Sequence, residues 1–457
     1  MTAVDTPPPP VPGNPVAAQP RIQRGFGGFK KNWADVRHTP YGTRPVGVFA
    51  FLGLVGTLTG SAFGLAGPDI LEDLDLKISD IQGVAATIGF FLTFAAIGIG
   101  WWADRHPRLP LYGYGMAASG VCAMATGGAT GMVSLAIPRV IGGVASEAAS
   151  VPSFSLTADY YPPESRGKVF AILGLVSTAA SLPLGLAGAL MIDKIGWRTT
   201  FFIGGALVTI GGVAVLAFLK EPIRGYMERR AMGAEEDVAV QESEPQSFGE
   251  AWRTVWAVRT LRRTFIASVV LSPGALILAQ LAQFLYVDEY GLRSASERFL
   301  AFGPASFVAG VAGALVGGHL IDRFSAMNPS NVLKAVGVFG FISSFGLLGI
   351  ATIPPLWMLI GFTAISAFGG AMIGPAIGAI QSQIIPPAVR TQGLQMLGLA
   401  GIPALVFFTP ISIGLRVEYG YSAAILFTVP FAVVGALINL SAASFFEFDR
   451  RNAMAAA

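Results

Sequence analysis

Charge is scarce in this chain: Asp, Glu, Lys and Arg make up 12% of its 457 residues, about half of what a soluble globular chain carries. That shortage excludes two or three ordinary soluble domains of this combined length. The chain has one cysteine, Cys122, so no intramolecular disulfide can form. Its three histidines, His38, His106 and His319, are far apart and none adjoins a carboxylate run, so no metal is expected. A phosphate-cradling Walker A loop is missing, which excludes ATP as the direct driving force. The first 44 residues contain no apolar stretch of the kind a cleavable signal peptide needs. No catalytic constellation and no cofactor motif is found, so no enzyme is expected.

What the chain has instead is apolar surface: 53% of it is hydrophobic and its mean hydropathy is +0.62. Crossing a bilayer takes about 20 apolar residues per helix. Twelve stretches qualify, at roughly 45–70, 79–101, 110–129, 131–157, 168–192, 199–219, 264–288, 298–320, 331–352, 355–383, 391–415 and 421–445. An all-α membrane protein is therefore expected. Ser79 with Gln82 suggests a capping box at the start of the second span.

The remaining segments organise the chain. Residues 1–20 are Pro/Ala-rich and read as a disordered tail, and 21–44 mix basic and aromatic residues suited to an anionic membrane surface. The connector 220–263 holds an acidic stretch from Glu235 to Glu244 with basic flanks, dividing the chain into bundles 45–219 and 264–445. A tail of 446–457 follows the second bundle. With both ends inside, the cytoplasmic segments hold 23 of the 30 Lys and Arg and the external ones 6, with Arg139 within a span. The positive-inside rule then places both termini in the cytoplasm. The net charge of +3 follows membrane side and does not imply nucleic acid.

The two bundles carry matched motifs. Gly100-Trp101-Trp102-Ala103-Asp104-Arg105 recurs in outline as Gly318-His319-Leu320-Ile321-Asp322-Arg323. Pro162-Pro163-Glu164-Ser165-Arg166 recurs as Pro386-Pro387-Ala388-Val389-Arg390, and Gly196-Trp197 as Gly420-Tyr421. Two copies of one membrane unit are the plan of a secondary transporter.

These residues resemble the major facilitator superfamily. Gly100-x-x-x-Asp104-Arg105-x-x-Arg108 is similar to its signature loop between spans two and three, and Gly318 to Arg323 to that loop's repeat between spans eight and nine. Arg139-x-x-x-Gly143, the Asp159…Arg166-Gly167 loop and Gly196-Trp197-Arg198 also match, so the resemblance covers essentially 45–445. It implies twelve transmembrane helices in two pseudo-symmetric six-helix bundles, working by alternating access. The chain departs from the family at Pro107, where a glycine is usual, and its span-five signature is degenerate (Leu182-Pro183-Leu184-Gly185). Glu147-Ala148…Pro152…Asp159 resembles a pattern of the Spinster-like and anion-symporter branches, but with the Glu eight residues after Arg139 rather than seven.

Candidate site residues follow from cost. Glu147 lies mid-span, where an acid costs about 2.5–3.5 kcal/mol on insertion scales, so it is a candidate for proton coupling or substrate contact, against a structural acid satisfied by polar neighbours. Arg139, about 12 Å from it along a helix, binds an anionic substrate group, neutralises Glu147 in one state only, or snorkels to the outer surface. Gln280 and Gln283 in span seven, with Thr57 and Ser61 in span one, are candidate substrate-binding groups, since an amide in hydrocarbon needs partners. The resemblance implies gating roles for Asp104, Arg105, Arg108, Asp322, Arg323 and Arg166. Asp104 would latch onto the positive N-terminus of span eleven, while Arg105 and Arg108 either pair with acids of the first bundle or serve as cytoplasmic anchors.

The expected function is proton-coupled export of a small amphipathic molecule by a monomer in a bacterial inner membrane. Uptake of an organic anion and carriage of a lipid-like substrate are alternatives, and a non-transporting membrane receptor on the same fold is the rival of another class.

Overall fold

A computed structural model describes residues 41–161, 163–227, 248–327, 330–384 and 399–455. The N-terminal tail to residue 40 and the acidic stretch of the connector lie outside the described residues.

In hydrocarbon each backbone polar group must pair within its own segment, so the apolar stretches become helices. Helix α1 (Arg44–Leu65) is followed by a short amphipathic α2 (Gly67–Leu74). The break falls where Pro68 has no N–H to continue the ladder, earlier than the expected end of the first span. Helices α3 (Ile78–Arg105), α4 (Arg108–Gly127) and α5 (Met132–Tyr160) precede α6 (Pro163–Phe218), which bends at Gly196. The second half comprises α7 (Phe248–Ala257), α8 (Arg259–Asp288), α9 (Ala295–Met327), α10 (Ser330–Ala351) and α11 (Leu356–Ile384). After a π-helical turn at Ala404–Phe408 come α12 (Thr409–Leu426), bent at Gly420, and α13 (Val429–Ala455). At both bends the glycine has a positive φ, +80° at Gly196 and +82° at Gly420, which a Cβ would oppose.

Among the described residues nine stretches are long and apolar enough to cross a bilayer. Two of them, Ile172–Phe218 and Val406–Asp449, each hold two spans parted at the glycine bends. With the Gly/Ala-rich α4, the described segments number twelve. The amphipathic α7, inside the connector, was not anticipated. It buries Val255 in the second half's core, and its stacked Trp252 and Trp256 both meet Phe265 of α8 edge-on.

The start of α3 corrects the Ser79–Gln82 expectation. Ile78 already begins the helix, and the Lys77 N–H donates to the Asp80 carboxylate at 2.8 Å. A carboxylate three residues on outbids the amide because its charge also favours the helix N-terminus. Gln82 is instead buried inside the bundle.

The buried core divides unequally along the molecule. At one end a single cluster mixes both halves, with Leu65, Ile70, Trp197 and Phe201 packed with Leu281, Phe284, Phe302 and Tyr421. At the opposite end the halves have separate cores, one around Leu109, Leu156 and Tyr160, the other around Leu261, Ile321 and Phe446. Among the described residues the buried cores of the two halves thus merge at one end and stay separate at the other.

Within the first half α4 and α6 touch backbone to backbone. A Cβ on Gly120 would lie 2.5 Å from the Gly205 carbonyl oxygen, and one on Gly205 would lie 2.5 Å from that of Gly120. Gly120→Val should cost about 1–3 kcal/mol through overpacking and lower the thermal unfolding midpoint in detergent. Gly98→Ala, whose Cβ would meet nothing within 4 Å, should leave the midpoint unchanged or raise it.

Candidate functional site

The sealed end is held by Arg298, in the first turn of α9 and 1% exposed. Its guanidinium has five N–H donors, and five acceptors surround it. Nε donates to the Gln283 side-chain oxygen at 3.1 Å, and one terminal nitrogen donates to the carbonyls of Leu292, at 3.3 Å, and Arg293. The other reaches the first half, donating to the Leu65 carbonyl at 2.7 Å and the Asp69 carboxylate at 3.2 Å. Burial raises the affinity of the Asp69 carboxyl for a proton, and the Arg298 charge offsets part of that effect.

A second link joins the halves beside it. The Asp193 carboxylate in α6 accepts the N–H groups of Ala295 at 2.8 Å and Ser296 at 3.0 Å, capping the positive end of α9. Ser294 and Glu297 complete that helix start as a reciprocal capping box. The Ser-x-x-Glu spacing was a signal in the sequence that could have placed Arg298 in a first helical turn.

Internal anchors brace each half at the same end, and they repeat. After α1, Asp73 accepts from Trp197 Nε1 at 3.1 Å and pairs with Arg198 at 2.8 Å. After α8, Asp288 accepts from the Tyr421 hydroxyl at 2.5 Å and pairs with Arg416 at 3.6 Å. The Gly196-Trp197 and Gly420-Tyr421 motifs thus perform one task twice.

At the opposite end Arg108, 5% exposed, pairs with Asp159 of the first half at 2.6 Å and with Glu221, at the start of the connector, at 3.5 Å. Glu221 also accepts the N–H groups of Arg108 at 3.0 Å and Leu109 at 2.6 Å, capping α4. Arg105 lies over the Trp101 ring, 4.7 Å from its centre, and donates to the Trp101 carbonyl. Arg323 is exposed. The side chains of Asp104, Asp322 and Arg166 lie outside the described residues, as does the start of span eleven onto which Asp104 was expected to latch.

Between these ends lie the membrane-embedded candidates. Glu147 is half-buried on α5, and no side-chain partner for its carboxyl is found among the described residues. Arg139, two turns earlier, stacks on Phe63 of α1 with its guanidinium 3.7 Å from the ring centre. Its Nε is buried without a hydrogen bond, and no carboxylate among the described residues pairs with it. Thr57 and Ser61 donate to carbonyls one turn back on α1. Gln280 is 3.5 Å from the Thr409 hydroxyl and has a buried, unbonded carbonyl oxygen. The Gln283 amide oxygen, by contrast, is engaged by Arg298.

The latch makes a direct prediction. Truncating the buried member of a charge pair costs on the order of 2–5 kcal/mol, enough to move a two-state equilibrium by roughly one and a half to three and a half orders of magnitude. In a Cys122→Ser background carrying Ser61→Cys, Arg298→Ala should raise labelling by an impermeant maleimide from the sealed side several-fold. Arg293→Ala, which leaves both links intact, should not.

The family model described as Major Facilitator Superfamily matches residues 49–353. An MFS-type efflux pump of Mycolicibacterium smegmatis is 26% identical over 77% of this chain and 79% of its own length. The 4-hydroxybenzoate transporter PcaK of Pseudomonas aeruginosa is 23% identical over 80% of this chain and 85% of its own. Among solved structures, a bacterial homolog of the human lysosomal transporter Spinster, in an inward-facing and unoccupied conformation, superposes with a TM-score of 0.73. It covers 90% of this chain and 98% of that one at 19% identity, a likeness of fold. The sealed twelve-helix architecture, the duplicated loop motifs and the family match agree: this chain is a multi-pass membrane transporter, not an enzyme, and belongs to the Major Facilitator Superfamily.

Proposed function

We propose that the protein is a proton-coupled exporter of a small amphipathic organic molecule, working as a monomer in a bacterial inner membrane. Both termini are cytoplasmic, from the distribution of Lys and Arg, so the end sealed by Arg298 is external and the form described is inward-facing. The Spinster homolog with the similar fold is itself inward-facing.

The observation that carries the reading is the half-buried Glu147 carboxyl with no side-chain partner among the described residues. An ionisable side chain at that depth is costly and is kept for a function by default, proton relay among them. A carboxyl reached from each face in turn as access alternates is placed to carry a proton across. Substrate leaving outward and a proton entering would then share one site. Export is favoured over import by the efflux pump relative, which spans most of the chain.

A second reading has its own observation. Arg139 carries a charge with no carboxylate partner among the described residues, and a substrate anion would supply one. The aromatic-acid transporter among the relatives favours uptake of an organic anion on this ground.

Proteoliposomes separate the outcomes. Under an imposed proton gradient, wild type should move amphipathic compounds together with protons, while Glu147→Gln should lose proton movement by at least tenfold. Equal, proton-free transport by both proteins would refute coupling through Glu147. If Arg139→Lys keeps uptake of neutral compounds but abolishes that of carboxylates, the second reading prevails.

A further inference from the structure

The second half contains a recess that neither the motifs nor the buried charges pointed to. It lies among α8, α10 and α11, with Ala432 of α13 at its floor, and has a volume of about 580 Å³, within the range of sites for small organic ligands. Its walls are apolar, with Leu271, Leu278, Leu347, Ile373 and Ile377. Among its lining residues Ala275 and Ala279 of α8 and Gly370 of α11 are exposed, so it opens between those two helices. Ala279 and Gln283 are one turn apart on α8, and Gln283 holds the guanidinium that reaches the first half. The mouth therefore faces the space between the halves.

The polar content of the recess is hydroxyl only, and most of those hydroxyls have committed their protons. Ser272 donates to the Val269 carbonyl at 2.9 Å, Ser344 to Gly340 at 2.7 Å and Thr363 to Leu359 at 2.8 Å. A hydroxyl has one proton and two lone pairs, so each of these can only accept a further bond. Ser343 and Ser366 meet across α10 and α11 at 3.4 Å, which uses one proton of their two. The lining thus has more acceptors than donors. No ionisable side chain lines it except the Tyr286 phenol, so a cation would enter without a counter-charge, at high desolvation cost.

We infer that this recess binds the apolar portion of an uncharged ligand bearing a hydrogen-bond donor, a phenol or alcohol, and that it forms the second half's share of the substrate site. The inference rests on the proposed transport of an amphipathic molecule and names the chemistry of its apolar end.

Binding can be measured without transport. Tritiated 4-hexylphenol and 4-hexylanisole, which differ by a methyl cap on the donor, are dialysed to equilibrium against the purified full chain in detergent, with protein-free micelles subtracted. The phenol should bind about 3- to 10-fold more tightly, the worth of one hydrogen bond to a buried acceptor. Ala367→Leu, which fills the recess, should weaken phenol binding at least tenfold. Ala275→Leu, at the exposed mouth where added volume cannot disturb the core, should do the same. Gly98→Ala on α3, whose Cβ would meet nothing within 4 Å, should bind the phenol as wild type does, and because binding is read at equilibrium with no proton gradient this test and the coupling test fail separately. Equal affinity for the two compounds, binding undiminished in both filled variants, or no binding of either compound would each overturn the inference.

Discussion

A guanidinium buried between two halves of a membrane protein is tolerable only if every N–H has an acceptor. Arg298 meets that condition by drawing acceptors from both halves at once, three from its own and two from the first. The closed end of the molecule depends on this arrangement. If the halves part, the Leu65 carbonyl and Asp69 lose the guanidinium, and it must find water instead. The transition that opens this end is therefore one in which water replaces protein acceptors, an exchange close enough to balance to permit switching. The Asp193 cap on α9 adds a second link with the same property, since both helix end and carboxylate can be hydrated.

What moves is defined by what does not. The Asp73 and Asp288 anchors brace each half from inside, and neither crosses between halves. Arg108, Asp159 and Glu221 do the same at the far end of the first half, while the Asp449 carboxylate caps α8 at Thr260 in the second. Backbone contact between α4 and α6 leaves no slack for bending within the first half. Rigid halves with a strippable joint suit rocking about a central site. The membrane-embedded polar groups are asymmetric: among the described residues the first half has Glu147 and Arg139 without ion-pair partners, and the second has amides and hydroxyls.

The architecture was legible in the sequence because it rests on local, additive signals. Apolar length fixed the spans, and the duplicated Gly-Trp and Gly-Tyr motifs marked bends that the backbone makes at positive φ. The latch was not legible from those signals. Arg298 looked like one external arginine among several, because its acceptors lie 5 to 233 positions away and four of the five are not charged. Gln283 looked like a pocket amide for the same reason, since its partner could be known only from the fold. Ser79 misled as a cap because Asp80 offered a charged competitor one residue on. The hydroxyl recess escaped notice because serine and threonine in a helix usually bond their own backbone. They do so here, and only their convergence from three helices makes a site.

Arg298 locks the halves at one end, and among the described residues their cores are parted at the other. Pulsed electron–electron resonance on spin labels tests it, one pair at Lys194 and Arg293 across the locked end and another at Arg105 and Arg262 across the far end. The locked-end pair should show a single narrow distance in the intact protein. When Arg298 is replaced by alanine, that distance should lengthen and broaden while the far-end pair draws together. A locked-end distance already broad with Arg298 in place, or two distributions indifferent to its removal, would contradict it.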